Sequence, residues 1–531
     1  MGRDLLIIEA PGKLRTFRRL CEGVGLQADV GLQADICATI GHVLEAPKDL
    51  RDLGIALRGE EYVETNRRPV REDSFRYLCD CLERCKGRVL IATDNDQEGH
   101  VIAADVVGLM EATGCRQPAY RLVLNGLTRD AMVKGLAQLT PVDIALANAG
   151  VARRIVDRLI GGGLSDFSTG RTVGRVQTAL LSIAENGLPH SLIGLSMPCS
   201  DGGEPFRAVL PVTAVATPAE LIAQLDALPA RDVAVAMPER LSEPGNYGDT
   251  LLSLNAAAGL SISQAAELLQ ELYEAGDISY PRTSSRAFSD ATVEVLEALA
   301  RVRGIRAFRK AAVPTIQSDG AAHEAIHVLN SELLQRLDLG RPPSLQGSLR
   351  EAALAIIARQ SLESGLVVAR ERPNLDGLPD FLASLDWSRD ARRPMLPWRS
   401  ATSVATKGGA LGLDAALVQQ MMKHGVGRPS TWPSHAARFA ERGFVDDAYQ
   451  LTTKGLRVLE AAPQGLRDVL CTVRIEDLLQ ERGSEVSHMV NHALQVALEG
   501  DAELAAHLIS QLDVLQDDQE EVLEHRHRPT F

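Results

Sequence analysis

Asp94, Asp96 and Glu98 stand at alternate positions directly after the apolar run Arg88–Thr93, and Gly99 then opens an apolar segment with helical character. A strand that ends in D-x-D-x-E-G gathers negative charge on one loop at the carboxyl edge of a sheet. Such charge repels itself unless a cation is present, and an all-oxygen, carboxylate-rich loop suits Mg²⁺, which keeps most of its waters. A solvated acidic loop has the same short pattern, so the rest of the chain must decide between the two readings.

Two further segments carry chemistry. Asp4–Ile8 is a short buried-strand pattern, followed by Glu9-Ala-Pro-Gly-Lys13 and by Leu14, Phe17 and Leu20 at helical spacing. A carboxylate and an ammonium in one turn between strand and helix can both point at a ligand beyond the strand end, where open α/β sheets place their sites. Further on, apolar residues at 262, 265, 268, 269, 272 and 273 form a helix stripe closed by Gly276. Ile278-Ser-Tyr280-Pro-Arg282-Thr283 follows. Pro281 holds Tyr280 extended, which lets Arg282 face the same side. A tyrosine beside a guanidinium suits attack on phosphorus, because the guanidinium fork matches phosphate oxygens and stabilises charge there. Alone, the pair equally fits a half-buried strand tyrosine beside a surface arginine.

Together these segments resemble the type IA DNA topoisomerases, the bacterial topoisomerase I and III group. Glu9–Lys13 resembles the opening of the TOPRIM domain, and Ala92–Gly99 its metal motif. Thr39-Ile-Gly41-His42 is similar to the family's T-x-G-H stretch. Ala152–Arg158 and Gly174-Arg175-Val-Gln177 resemble its two arginine-bearing helices, and Tyr280–Thr283 its tyrosine motif. Ala322-His323-Glu324-Ala-Ile326 and Gly425–Thr431 complete the family order.

The resemblance implies that Tyr280 attacks a phosphodiester of single-stranded DNA, leaving a 5′-phosphotyrosine and a free 3′-hydroxyl. A second strand passes, and the hydroxyl reseals the break without ATP. Arg282 would stabilise the transition state, Lys13 would protonate the leaving oxygen, and Glu9 would exchange protons there. His323 would contact the scissile phosphate. Glu9, Asp94, Asp96 and Glu98 would hold Mg²⁺. Arg153, Arg154, Arg175, Gln177, Arg428, Ser430 and Thr431 would line the DNA path. Several positions depart from the family pattern: Asn95 and Gln97 replace Pro and Arg, Ser284 stands where Asp is frequent, His327 where Arg is usual, and Ala10 where Ser is frequent. These changes weaken phosphate binding and remove no catalytic part, so an active enzyme, slow or specialised, is expected.

The fold expected is multidomain α/β plus α. It comprises an N-terminal TOPRIM, Rossmann-like domain over 1–140 and a helical DNA-binding domain over 141–190 with its return at 410–500. A discontinuous β-rich hinge domain spans 191–247 and 366–409, a winged-helix-like domain with Tyr280 spans 248–365, and a polar tail runs over 501–531. The resemblance implies that these pieces form a torus. Leu188–Pro205, rich in Gly, Pro and Ser, is read as a boundary, Gly443–Val445 and Tyr449–Leu451 as strands, and 218–227 as a helix.

A chain of 531 residues has room for three or four domains, and a mean hydropathy of −0.04 describes an ordinary core-forming protein. There is no uninterrupted apolar run of ~18 residues and no signal peptide, which points to the cytoplasm and, by resemblance, the bacterial nucleoid. The net charge of −14 is poor for non-specific duplex binding, so a basic groove on an acidic body and salt-sensitive affinity are expected. Aromatics are 4% of residues, so backbone contacts rather than base stacking must carry binding. The eight cysteines form no C-x₂-C pair, so neither zinc ribbons nor, in that compartment, disulfides are expected. The partner is single-stranded or underwound DNA, with no membrane contact and a monomeric chain; an accessory helicase or single-strand-binding protein stays open. The other readings are a catalytically weak homologue acting as a DNA-binding accessory and, more distantly, a TOPRIM nuclease or primase.

Overall fold

The computed structural model describes residues 2–22, 32–189, 191–212, 228–316, 323–342, 345–390, 396–398, 409–480 and 484–515. The helix expected at 218–227 and the tail beyond 515 lie outside them.

The amino-terminal unit is a five-stranded sheet of β1 (Asp4–Ile8), β2 (Ala34–Ala38), β3 (Val89–Ala92), β4 (Ala119–Arg121) and β5 (Thr140–Pro141), in the order β2-β1-β3-β4-β5. All pairings are parallel except that of β5. Both faces are covered, which is why Leu5–Ile8 of β1 and the whole of β3 are unbroken apolar runs. Leu6, Ile8 and Leu90 enter a core shared with the tyrosine-bearing region, whereas Leu5, Ile7, Val89 and Ile91 meet Leu78, Leu82 and Val106 on the other side. The register sets Ile8 against Ala92, so Glu9 and the acidic loop leave the sheet side by side. Helix α1 (Leu14–Glu22) follows β1 and α2 (Gln97–Ala112) follows the acidic loop. Asp96 caps α2 by accepting from the Gly99 amide at 2.8 Å. Residue 99 must be glycine, because a Cβ there would stand 1.9 Å from the Asp94 carbonyl oxygen.

Helices α3 (Asn148–Arg158) and α4 (Arg175–Ala184) come next. The stretch read as a boundary, Leu188–Pro205, instead contains β6 (Ser191–Met197), which pairs antiparallel with β7 (Phe206–Val212). Leu195 and Met197, two positions apart on β6, meet Phe206 and Ala208 of β7 in a small core, and that burial holds the hairpin. β8 (Val233–Arg240) leads into α5 (Tyr247–Ala258), α6 (Ile262–Glu274), α7 (Asp290–Val302) and α8 (Leu349–Glu363). The chain then returns: β9 (Val367–Pro373) pairs with β8 and with β10 (Arg389–Asp390), and β11 (Gly409–Ala410) pairs with β6.

The carboxy-terminal region includes helices α9 (Leu413–His424), α10 (Trp432–Glu441), α11 (Val469–Leu478) and α12 (Val486–Ala497). Ile155, Val156 and Leu159 on and after α3 share a core with Ile475, Val490 and Leu494, which ties the amino- and carboxy-terminal helical segments together. The strand pair expected at 443–451 reduces to a single bridge between Val445 and Leu451, where Tyr449 turns through a positive φ of 58°. The tail is not uniformly polar helix: after the helix Ala502–Ser510, Asp513–Leu515 adds as a parallel strand to Ile55–Arg58.

Candidate active site

Two strand ends build the centre. The Glu9 carboxylate, just past β1, accepts from the Asp94 amide, just past β3, at 3.0 Å. Lys13, in the turn before α1 and only 1% exposed, places Nζ 2.5 Å from Asp94 Oδ1 and 4.8 Å from the Tyr273 ring centre. The Tyr273 hydroxyl donates to the same Oδ1 at 3.1 Å. Tyr273 lies in α6, and its ring meets that of Tyr280 edge-on at 5.5 Å. The acidic loop is held from beneath by Arg121, which donates to the Ile91, Thr93 and Asp94 carbonyls and to the Thr93 hydroxyl.

Tyr280 is 2% exposed, and its hydroxyl donates to Asp96 Oδ2 at 2.6 Å. Asp96 therefore caps a helix with one oxygen and receives the phenol with the other. Burial, then the charges of Asp96 and Asp94, push the phenol well above its usual range. Asp96, although buried, is held below the usual carboxylate range by the Tyr280 and Gly99 hydrogen bonds and by Arg282. The proton thus rests on Tyr280 in this closed arrangement. Arg282 is raised further by Tyr280, Tyr247 and Glu98 against its own burial, and stays charged. His323 tilts against Tyr280 with ring centres 4.4 Å apart, and its Nε2 donates to the Asn95 carbonyl at 2.9 Å. Its Nδ1 is buried without a hydrogen-bond partner among the described residues. Burial lowers this histidine, so it is neutral here; an anion beside Nδ1 would favour a second proton on the ring.

The donor chemistry of the four acids suits a hard cation. Burial first and the Asp94 charge second push Glu9 up to about 8. Among the described residues, however, no three acidic, His or Cys side chains stand together as a ready cation cage. Lys13 and Tyr280 engage Asp94 and Asp96, and Glu98 faces His42 Nε2 at 3.4 Å. Because folded Glu9 keeps its proton to about 8 and the unfolded chain releases it near 4.5, stability falls as pH rises through that window, by about 1.4 kcal/mol per unit at most. We expect the melting temperature in EDTA to drop from pH 5 to pH 8, and Mg²⁺ or Glu9→Gln to flatten the slope. An identical slope in wild type and Glu9→Gln would refute this assignment.

Beside the acidic loop, a 270 Å³ groove is lined by Arg153, Asp157, Arg175, Gln177, Arg428, Thr431, His435, Arg438, Arg442 and Glu476. Of the residues expected on a DNA path, Arg153, Arg175, Gln177, Arg428 and Thr431 meet here. Arg154 and Ser430 are not part of the lining: Arg154 turns away to a bidentate pair with Glu64, and Ser430 sits in the turn before α10. Arg153 bonds both Gln97 and Glu476, so a guanidinium from α3 stands at the position 97 side chain. Glu476, on α11, also faces Arg175 at 2.7 Å and Arg428 at 3.4 Å. The exposed Arg438 and Arg442 were not signalled by any motif; their spacing on and just after α10 is their only trace in the sequence. His327 is internal, bonded to the Ala325 carbonyl and Thr292 hydroxyl, so it supports the tyrosine segment.

Arg175 is an anchor as well as a groove residue. Its side chain is 2% exposed and bridges Asp157 and Glu476. We expect Arg175→Met to destabilise the protein by about 3 kcal/mol in urea unfolding, because breaking a buried pair strands a charge. Arg438→Gln, at an exposed site, should change stability by less than about 0.5 kcal/mol.

Comparisons with known proteins agree with this layout. Residues 4–124 match the Toprim domain family and residues 235–363 the family described as DNA topoisomerase. DNA topoisomerase 1 of Synechocystis sp. is 25% identical over 90% of this chain and 62% of its own length. The Thermotoga maritima enzyme of the same name is 23% identical over 83% of this chain and 75% of its own. The solved structure of full-length topoisomerase I from Thermotoga maritima superposes with a TM-score of 0.62 at 19% identity, covering 96% of this chain and 90% of that one. This chain spans about three fifths of the length of the first such relatives. The Toprim match and the DNA topoisomerase match thus follow one another along the chain, and Asp94, Asp96 and Glu98 fall within the first and Tyr280 within the second.

Proposed function

We propose that the chain is an ATP-independent DNA topoisomerase that opens and reseals one strand through Tyr280. The observation that carries this reading is the Tyr280 hydroxyl, 2.6 Å from Asp96, beside the buried Lys13–Asp94 pair at the adjoining ends of β1 and β3. A phosphodiester entering between Tyr280, Arg282 and His323 would face two charged or chargeable donors. The phenol oxygen attacks phosphorus, its proton passes to the Asp96 carboxylate it already bonds, and the bond from phosphorus to the 3′ oxygen breaks. Lys13 Nζ, with three hydrogens and one spent on Asp94, protonates the departing oxygen. Glu9, at about 8, can exchange that proton near neutral pH. Resealing runs these steps in reverse.

Glu9, Asp94, Asp96 and Glu98 are the residues that would hold Mg²⁺, which would neutralise their mutual repulsion and position the strand ends for resealing. The groove of Arg153, Arg428, Arg438 and Arg442 would carry the intact side of the strand. Relaxation of a negatively supercoiled plasmid without ATP tests the whole activity. Unchanged linking number alongside demonstrable single-strand cleavage would reduce the chain to a strand-cutting homologue.

A further inference from the structure

A larger cleft of 1170 Å³, which shares no lining residue with the Arg153–Arg428 groove, lies between α1 and the end of α6. The first groove meets the centre at Gln97 and Glu98, where Arg153 and Arg428 approach. The second meets it at Lys13: Gly12 lies against the Glu274 carboxylate, where a Cβ would come to 1.7 Å, and the Thr16 hydroxyl donates to the Glu274 carbonyl at 2.6 Å. The centre therefore adjoins two clefts, one at Gln97 and Glu98 and the other at the Pro11–Leu14 turn that carries Lys13.

Arg15, Arg18 and Arg19 line the second cleft, at i, i+3 and i+4 of α1 and so on one helix face. All three are exposed, and none makes a hydrogen bond or ion pair among the described residues. The cleft's acids are partly committed. Asp277 is paired with Arg350, and Glu274 accepts from Gln270 at 2.9 Å and is pressed on Gly12, which leaves Glu271 facing solvent. In a chain of net charge −14, three adjacent unpaired guanidiniums that continue directly from the buried Lys13 are a polyanion contact. They are set on arms long enough to follow a backbone, and no aromatic side chain among the described residues lines the cleft on which a base could stack.

We propose that the Arg15–Arg18–Arg19 face is a second phosphate-binding site, which grips the backbone of the same single strand across the scissile bond from the part held by the Arg153–Arg428 groove. This rests on the strand-cleaving reading. It gives that reading a strand held on both sides of the break, so that the two ends stay placed while the phosphotyrosine bond exists.

The test uses the full chain with Tyr280→Phe, so that binding is read without chemistry. A single-stranded oligonucleotide is titrated at several salt concentrations in this background, with and without Arg15→Gln, Arg18→Gln and Arg19→Gln together. Each phosphate contact contributes about 0.7 to the slope of log K against log salt for a single strand, so the triple variant should lose about 2. Arg→Lys at the same three positions should keep the slope, since charge rather than fork geometry is at stake. A triple-Gln slope equal to the parent's would overturn the proposal. With Tyr280 restored, oligonucleotides are shortened on either side of the mapped cleavage position. The triple variant should become insensitive to shortening on one side only, and equal sensitivity on both sides would also overturn it. A wild-type chain that forms no covalent adduct would instead overturn the cleavage reading, while the slope comparison still decides the site.

Discussion

Tyr280→Phe should abolish the covalent protein–DNA adduct. End-labelled single-stranded DNA, mixed with the protein and stopped with denaturant, should run as a labelled protein band for wild type and not for the variant. Loss of a sole nucleophile typically costs on the order of 10⁶-fold, below detection in such a trap. Folding should survive. The ring keeps its contacts with Tyr273 and His323, and only the bond to Asp96 is lost. Stranding that buried carboxylate oxygen costs about 1–3 kcal/mol, a drop visible in the melting temperature but compatible with a folded chain. Asp96 should also titrate higher, since the Tyr280 hydrogen bond is one of the interactions that lower it. Single-strand affinity should be unchanged. An adduct that persists in Tyr280→Phe would assign the nucleophile elsewhere.

Lys13→Met should separate charge balance from proton supply. Lys13 is almost wholly buried, and among the described residues its hydrogen-bonded partner in the centre is Asp94. Removing it leaves Asp94 facing Glu9 and Asp96 without its cation, a loss of about 3–5 kcal/mol by the usual cost of breaking a buried pair. Cleavage in a single-turnover assay should fall by about 10²–10⁴-fold, the usual contribution of a placed proton donor. Added Mg²⁺ should recover stability, because a divalent cation can neutralise the acidic loop, but not the cleavage rate, because it donates no proton to the departing oxygen. Lys13→Arg should keep the charge and still cleave poorly: a guanidinium is too weak an acid and too wide for a site shaped around one ammonium beside the Tyr273 ring. Cleavage at the wild-type rate by Lys13→Met would remove Lys13 from the reaction.

The two strand ends and the tyrosine segment could be read without coordinates, because each depends on neighbours in sequence. Apolar runs bounded by Glu9 and by Asp94 make buried strands, Asp96 two positions on caps the helix behind it, and Pro281 keeps Tyr280 out of one. Helix Ile262–Glu274 followed by Gly276 at φ 81° is the same kind of local signal. The β-rich region was harder. β6 falls in a Gly-, Pro- and Ser-rich stretch and is a strand because Phe206–Val212 and, much later, Gly409–Ala410 pair with it.

The sequence by itself determined which chemistry is available: an acidic loop at a strand end, a lysine in the preceding turn, and a tyrosine beside an arginine, in family order. Which groups touch was decided only in three dimensions. That Lys13 and Tyr273 share Asp94, that Tyr280 rests on Asp96, and that Arg121 props the loop from β4 are contacts between segments 27 to 184 residues apart. The arginines make the point most directly. Arg153 and Arg154 are neighbours in one motif, yet successive helical residues point about 100° apart, and so one enters the groove beside Gln97 while the other turns to Glu64. Arg15, Arg18 and Arg19 belong to no motif, and only the packing of α1 against the end of α6 makes them the wall of a cleft. Local patterns specify backbone conformation and residue type; the pairing of charges across a folded chain depends on which surfaces burial brings together.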